Sequence, residues 1–440
     1  MSDVALIRPV SPFRRAAFLI LLLLVPFALV ALAFDRAPRV ADPGPPDALA
    51  AERTLDVAES LRTLVETEGS AGSWSIREDE LNAVLAAAQR VAPGLFGLAQ
   101  VERSGVELSL SVGAPFLPYG LWANLHLALE PSETGLKVAS ARLGRLPIPP
   151  SLALFALRLG LDQALGPGMG AAAIDSVAAL RLEPPRMTVA LQLDVAGRMP
   201  FFERLRTRAF EGAGSEAREA VHHQLWFLDK AVRARDLPRK GSAAPYFRKV
   251  IETAGRIKGE DREVMRGALY TLALYCGDAD FGQVIGVTLH DYLRGSANGC
   301  DGTRLARRDD LKRHFAISAG LYATTTSGQA AFGVGELKEL LDSNAGGEGF
   351  SFDDMAADAA GVRFATALLG APRAAWPGIV DALESEADLM PALDGLPEGM
   401  DEAGFRARYG SVDSPAYAAV VAEITQRIDG LPLYAPLRTN

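Results

Sequence analysis

The sequence predicts an α+β protein: one transmembrane helix near the N-terminus, an antiparallel-sheet domain with helices, then an all-α helical domain. Three observations predict it. Residues Ala16 to Phe34 carry no charge, apolar and polar residues alternate between Val106 and Ala141, and beyond Phe201 apolar residues recur near a 3.6-residue period. A chain of 440 residues is too long for one ordinary core, and at ~100–200 residues per domain it holds two or three.

The uncharged run of about 19 residues covers roughly 28 Å as a helix, close to the thickness of a bilayer's hydrocarbon core. Arg8, Arg14 and Arg15 precede it, whereas Asp35, Arg36, Arg39, Asp42 and Asp47 follow. The positive-inside bias therefore places residues 1–15 in the cytoplasm and the rest of the chain in the periplasm, tethered to the cytoplasmic membrane by a single span over 16–34. Ala31-Leu32-Ala33 has the small-x-small form of a signal-peptide cleavage site, but the apolar run is longer than a typical signal h-region, so retention as an anchor is expected. Either way the body is exported.

Pro38, Pro43, Pro45 and Pro46 lie in a linker assigned to 35–53 and suit a stiff, extended spacer that lifts the body off the membrane. The α+β domain is expected over about 54–200. Ser75 with Glu78 forms a capping-box signature ahead of Leu81, Val84, Leu85 and Ala88 at helical spacing. Val106, Leu108, Leu110 and Val112 alternate with polar residues, as do Leu121, Ala123, Leu125, Leu127 and Leu129; a turn at Pro131 to Gly135 precedes a strand over Leu136 to Ala141. After Pro147-Ile148-Pro149-Pro150 a helix runs from Ser151 to Leu165. It is too short to be a second span and is expected to be buried under the sheet. Met187, Val189, Leu191 and Leu193 make a last strand. The anchor, the Glu80-Leu81-Asn82-Ala83-Val84-Leu85 helix, the alternating strands and the Leu-Pro-Ile-Pro turn resemble the YpmS-like family of anchored envelope proteins. That resemblance implies a curved sheet whose apolar concave face accepts an acyl chain or serves as core.

The helical domain is expected over 201–440. Its adjacent His222 and His223 point about 100° apart on a helix and cannot face one ion together. Cys276 and Cys300 are the only cysteines. Neither sits in a CxxC pair or beside a His, so a zinc site on them is improbable; outside the cytoplasm they can pair, and the alternative is two buried free thiols. A formal charge of −9 and the lack of a basic stripe with interleaved aromatics exclude nucleic acid as a partner class. The most basic stretch, Arg304 to Arg313, is broken by Asp309 and Asp310 and is expected to be a solvated helix start.

The candidate chemistry lies in 309–369, where helices are expected near Asp309 to Thr324, Phe332 to Asp342 and Phe352 to Leu369. Asp310, His314 and Ser318 follow i, i+4, i+8; Gly335, Glu339 and Asp342 share a face with Lys338 beside them; Asp354, Asp358 and Gly361 share another. Small Gly361 and Ala365 would let a neighbouring helix approach closely. The stretches Asp310-x-x-x-His314-Phe315-x-x-Ser318-Ala319, Gly335-x-x-Lys338-Glu339-x-x-Asp342-Ser343 and Gly349-Phe350-Ser351-Phe352-x-Asp354-x-x-x-Asp358-x-x-Gly361 resemble the YfiM family of small bacterial envelope lipoproteins and, more distantly, VanZ-like proteins. The resemblance implies an envelope location and a candidate site. The sequence departs from such a lipoprotein in having no lipobox cysteine near its anchor, so a helix takes the place of the lipid.

If Asp310, His314, Glu339, Asp342, Asp354 and Asp358 converge, they can hold a divalent cation through oxygen and one nitrogen, and the cation can activate water. Without metal, His314 would serve as general base oriented by Asp310, with a protonated Glu339 or an Asp as acid. Ser318 four residues from His314 on one helix cannot complete a hydrolase triad. A third possibility needs no substrate: His314 hydrogen-bonded to Asp358 or Glu339 as a lock that fixes helix register. Two functions follow. The first is a non-catalytic binding or structural role at the membrane surface, in contact with lipid or another envelope component. The second is a metal-assisted or acid–base hydrolase of envelope lipid or glycan, which requires the six side chains to meet in an open cleft.

Overall fold

A computed structural model describes residues 27–66, 72–91, 94–113, 120–165, 169–191, 214–293, 298–325 and 327–434. The expected cytoplasmic segment 1–15 and residues 16–26 of the expected span lie outside the described residues, as do 192–213 around the expected domain boundary. Residues 27–33 are helical and run directly into strand β1 (Phe34–Asp35), so the helix ends at Ala33. Among the described residues no helix is long and apolar enough to cross a membrane.

The body is mixed α/β, with antiparallel sheets in its first half and helices in its second. Helix α1 (Ala48–Glu66), β2 (Ser73–Arg77) and α2 (Glu78–Val91) precede a meander of β3 (Leu95–Val101), β4 (Val106–Gly113), β5 (Trp122–Glu130), β6 (Lys137–Leu143) and β7 (Leu146–Ile148). The strands lie in the order β3-β4-β5-β6-β7, and β1 pairs with Trp122 and Ala123 of β5. Helices α3 (Pro150–Leu165) and α4 (Met169–Asp175) follow; β8 (Val177–Glu183) and β9 (Arg186–Leu191) then join β2 in a separate antiparallel sheet, order β2-β9-β8.

The alternation does what a two-residue period dictates. Ala99, Leu108, Leu127, Ala141 and Ile148 stand in one cross-strand row and therefore share a face, on which Ala153 and Leu157 of α3 pack. Ser109, Ser111, Asn124, His126 and Arg142 alternate with them onto the other face. Edge strand β3 is closed by side chains of α2: Asn82 exchanges hydrogen bonds with the Ala99 backbone (2.9 and 2.8 Å), and the Val101 amide donates to Glu78 at 2.7 Å.

Several local expectations are corrected here. Ser75 is not a helix cap: it pairs with Thr188 in the β2–β9 ladder, and α2 starts at Glu78, with Glu80 accepting from the Arg77 amide at 2.8 Å. Strands β3 and β8 were not foreseen, because Leu95-Phe96-Gly97-Leu98 and Val177-Ala178-Ala179-Leu180 lack the polar alternation of a half-exposed strand. The linker is no free spacer. The Arg39 amide donates to Asn124 Oδ1 (2.9 Å) and Ser111 Oγ (3.1 Å), and the Val40 amide to Ser111 Oγ (3.0 Å), strapping the chain across the polar face of the sheet. Helix α1 then begins at Ala48, inside the expected linker. Finally, α3 is buried only on its Ala153 side; Leu152, Phe155 and Leu159 are exposed.

The helical half comprises α5 (Ser215–Ala234), β10 (Gly241–Ser242), α6 (Ala244–Ala254), α7 (Asp261–Leu272) continued by a π-helical turn at Ala273–Gly277, α8 (Phe281–Ile285), α9 (His290–Leu293) and β11 (Thr303–Arg304), which pairs parallel with β10. Next come α10 (Asp309–Thr325), α11 (Gly328–Asp342), α12 (Phe352–Gly370), α13 (Trp376–Ala382), α14 (Glu402–Tyr409) and α15 (Pro415–Asp429). Helix α12 is apolar on nearly every side, as a central helix must be. Where α10 crosses it, Gly361 faces the Phe315 carbonyl at a separation that leaves no room for a Cβ. Phe247 meets Phe315 and Phe364 edge to face around that crossing, and the last two rings are tilted against each other. Cys276, on the π turn, is disulfide-bonded to Cys300. The two halves meet where Arg90 of α2 grips buried Glu336 of α11 with two hydrogen bonds (2.5 and 2.7 Å), and Tyr417 of α15 donates to the same carboxylate at 2.7 Å.

Candidate functional site

Four of the six predicted side chains meet where α10, α11 and α12 cross. His314 Nδ1 lies 3.2 Å from both carboxylate oxygens of Asp358, and its Nε2 lies 3.3 Å from Asp354 Oδ2 and 4.0 Å from Glu339 Oε1. All four are buried: Glu339 is 0% exposed, Asp358 2%, Asp354 6% and His314 8%. The i, i+4 spacing of Asp354 and Asp358 lets one face of α12 hold both edges of the imidazole ring.

The other two stand at the rim. Asp310 turns to Arg308, and Asp342 accepts from Lys338 at 2.6 Å. The six groups therefore do not share an open cleft, because each rim carboxylate is closer to a cation outside the cluster than to His314. Likewise, Asp310 does not orient the histidine; Asp358 does.

Residues beyond the predicted six complete the network. Ser318 Oγ donates to Asp358 Oδ1 at 2.6 Å. The Ser351 amide donates to Glu339 Oε2 at 3.1 Å while Ser351 Oγ caps α12 through the Asp354 amide, so one residue joins α11 to the start of α12. Lys338 Nζ lies 3.3 Å from Glu339 Oε1. Arg308 reaches Asp354 (3.0 Å), Asp353 (3.4 Å) and Glu398 (2.5 Å). Gly335 of α11 packs on Asp358 so closely that a Cβ would collide with Oδ2. Of these, Ser318 was legible in the i+8 stripe, and Lys338 stood beside Glu339 in the sequence. Arg308 was not legible: it is aimed by a tight turn in which Ala306 and Arg307 hold φ of 47° and 65° and Leu305 and Arg308 exchange backbone hydrogen bonds.

The expected solvated helix start at Arg304 to Arg313 is corrected for two of its cations. Lys312 is 2% exposed, and its ammonium donates to the carbonyls of Cys300 (2.9 Å) and Thr303 (3.1 Å) and to Asp309 (2.8 Å). Arg308 serves the cluster. His222 and His223 are exposed on α5, where His222 meets Tyr292 and His223 lies beside Glu219, so they form no joint site.

The electrostatics follow from burial and neighbours. Burial works to lower the His314 pKa, but hydrogen bonds to Asp354 and Asp358 outweigh it and lift the value to about 10, so the ring is an imidazolium at neutral pH. Burial raises Glu339 to about 7; Lys338 opposes the rise and Asp354 adds to it. Asp353 is pushed to about 6 by burial and by Glu398, with Arg308 opposing.

As a donor set, His314, Glu339 and Asp354 present ligand atoms all within 4.8 Å of one another, a size and chemistry that suit a divalent cation. Two features oppose it. Lys338 already stands on the Glu339 oxygen nearest His314, and the His314 nitrogen facing Asp354 and Glu339 carries a proton. No family model, curated protein or solved structure matches the chain.

Proposed function

We propose that this chain is a single-pass protein of the cytoplasmic membrane whose periplasmic body serves a non-catalytic binding or structural role at the membrane surface, with the His314 cluster as a polar lock between three helices. The observation that carries the lock is charge compensation. Asp358 faces His314, Asp354 faces His314 and Arg308, and Glu339 faces Lys338, so each of the three buried carboxylates has a cationic partner. A charge-compensated, buried network fixes the register of α10, α11 and α12 and offers a substrate neither an uncompensated base at His314 nor an open face. The export reading draws support from the disulfide, which persists in oxidising compartments, and from the exposed apolar residues Phe27, Leu29, Val30 and Leu32 at the described end of the N-terminal helix. The YfiM-like pattern of 309–369 accords with an envelope location.

The compact donor set of His314, Glu339 and Asp354 favours a second reading, a divalent cation that activates water against an envelope ester or glycan. Metal analysis of the purified full-length protein, with thermal melts in the presence and absence of chelator, separates the two. The lock predicts no stoichiometric metal and an unchanged melt. Stoichiometric metal, together with hydrolysis of an envelope ester that vanishes in His314→Ala, would overturn it.

A further inference from the structure

One face of α3 is bare. Leu152, Phe155 and Leu159 are 51%, 55% and 52% exposed, and Ala156 beside them is exposed as well. Their i, i+3, i+4, i+7 spacing makes a single apolar stripe, on the side of the helix away from Ala153 and Leu157. A stripe of this kind on a soluble surface calls for a cover.

Three observations point to its occupant. The Arg145 amide donates to the Leu32 carbonyl at 2.7 Å, so the end of the N-terminal helix is pinned to the β6–β7 turn. From Arg145 to Leu152 is seven residues, a reach of at most ~25 Å even when fully extended. Neither a free spacer nor a hinge intervenes, because Phe34 enters the sheet at once and Arg39 and Val40 are strapped across it. Last, Arg36 and Arg145 are exposed at this exit on a chain of net charge −9, whereas Arg39, paired with Asp35, and Arg142 belong to the opposite, polar face of the sheet. Exposed arginines at the exit of an apolar helix, on the same domain as an uncovered apolar stripe, are the chemistry that recognises an anionic lipid surface.

We propose that the Leu152, Phe155 and Leu159 stripe lies in the interfacial layer of the same membrane the N-terminal helix leaves, with the exit arginines on its phosphates, so that the body lies down on the bilayer instead of standing off it. This rests on reading the N-terminal segment as a membrane anchor. The bilayer is favoured over a second copy of the chain because the pinned helix end holds the stripe within reach of the surface at all times.

The test uses the full chain, disulfide oxidised, in vesicles of phosphatidylethanolamine and phosphatidylglycerol. An environment-sensitive fluorophore is placed on Leu159→Cys and, as a control, on Glu384→Cys in the helical half. Flotation shows whether the protein is anchored; nitroxide-labelled lipid and aqueous iodide report what the label touches. The expected result is flotation, quenching at position 159 by nitroxide lipid several-fold stronger than at 384, and weaker lipid quenching when Phe155→Asp is added without loss of flotation. Flotation with position 159 as open to iodide as the control would overturn the docked helix and leave the anchor standing. Failure to float would overturn both. A label shielded from iodide yet unquenched by nitroxide lipid would assign the stripe to a second copy and likewise refute the proposal.

Discussion

Removing the Asp358 carboxylate is the sharpest perturbation of the cluster. Asp358 accepts from both His314 Nδ1 and Ser318 Oγ in a site where it is 2% exposed, so Asp358→Ala leaves an imidazolium edge and a hydroxyl without their acceptor and with little access to water. Breaking one partner out of a buried charged pair costs about 3–5 kcal/mol. At roughly 2–4 °C per kcal/mol for a unit the size of the helical half, its melting temperature should fall by roughly 6–20 °C. The assay is far-ultraviolet circular dichroism of the full chain in detergent, disulfide oxidised, by thermal and urea denaturation. Asp358→Asn, which keeps the shape and one acceptor oxygen, should lose less. A loss below about 1 kcal/mol in Asp358→Ala, with folding otherwise intact, would refute the lock and return the cluster to the status of a site.

Stability should also depend on pH in a stated direction. The folded pKa of His314, about 10, lies above its ordinary 6.5, so its contribution is complete below about 6.5 and is lost as pH rises through about 10. Glu339, lifted to about 7 from 4.5, adds a loss in the same direction between those two values. Urea midpoints between pH 6.5 and 10 should decline, and His314→Gln should flatten that slope; equal slopes would count against the clamp. Gly335→Ala tests the close approach of α11 to Asp358. An unobstructed helical glycine gains about 1 kcal/mol on change to alanine, whereas overpacking here should lose about 1–3 kcal/mol, so the sign of the change in melting temperature decides. Reducing the Cys276 to Cys300 disulfide, which closes a separation of 24 residues, should cost about 3–4 kcal/mol in the chain-entropy account; an unchanged urea midpoint in dithiothreitol would contradict it.

The helices that carry the cluster were legible almost to the residue. Their apolar period and the Asp-rich starts are local signals, and α10, α11 and α12 begin and end within a few residues of the expected bounds. The meander from β4 to β6 was legible for the same reason, since a period of two needs no knowledge of the partner strand. Less local features escaped. Ser75 sits in a sequence that reads as a helix cap, yet pairing with Thr188, more than a hundred residues away, makes it a strand residue. The proline-rich linker has the composition of a spacer, but the side chains of Ser111 and Asn124 capture its amides.

Spacing along the chain therefore determined which residues can share a helix face: Asp354 with Asp358, Glu339 with Gly335, His314 with Ser318. It could not determine which carboxylates the histidine meets, because that depends on where the helices cross. The crossing is set by Gly361 and Gly335, whose missing side chains let α10 and α11 close onto α12. Once they close, Asp354 and Asp358 clamp His314, while Asp310 and Asp342, on the same predicted stripes, are drawn outward to Arg308 and Lys338. The cations that hold Asp310 and Asp342 are local in sequence, but which carboxylates become buried against His314 is decided between helices, and a single helix holds no information about where its neighbour crosses it.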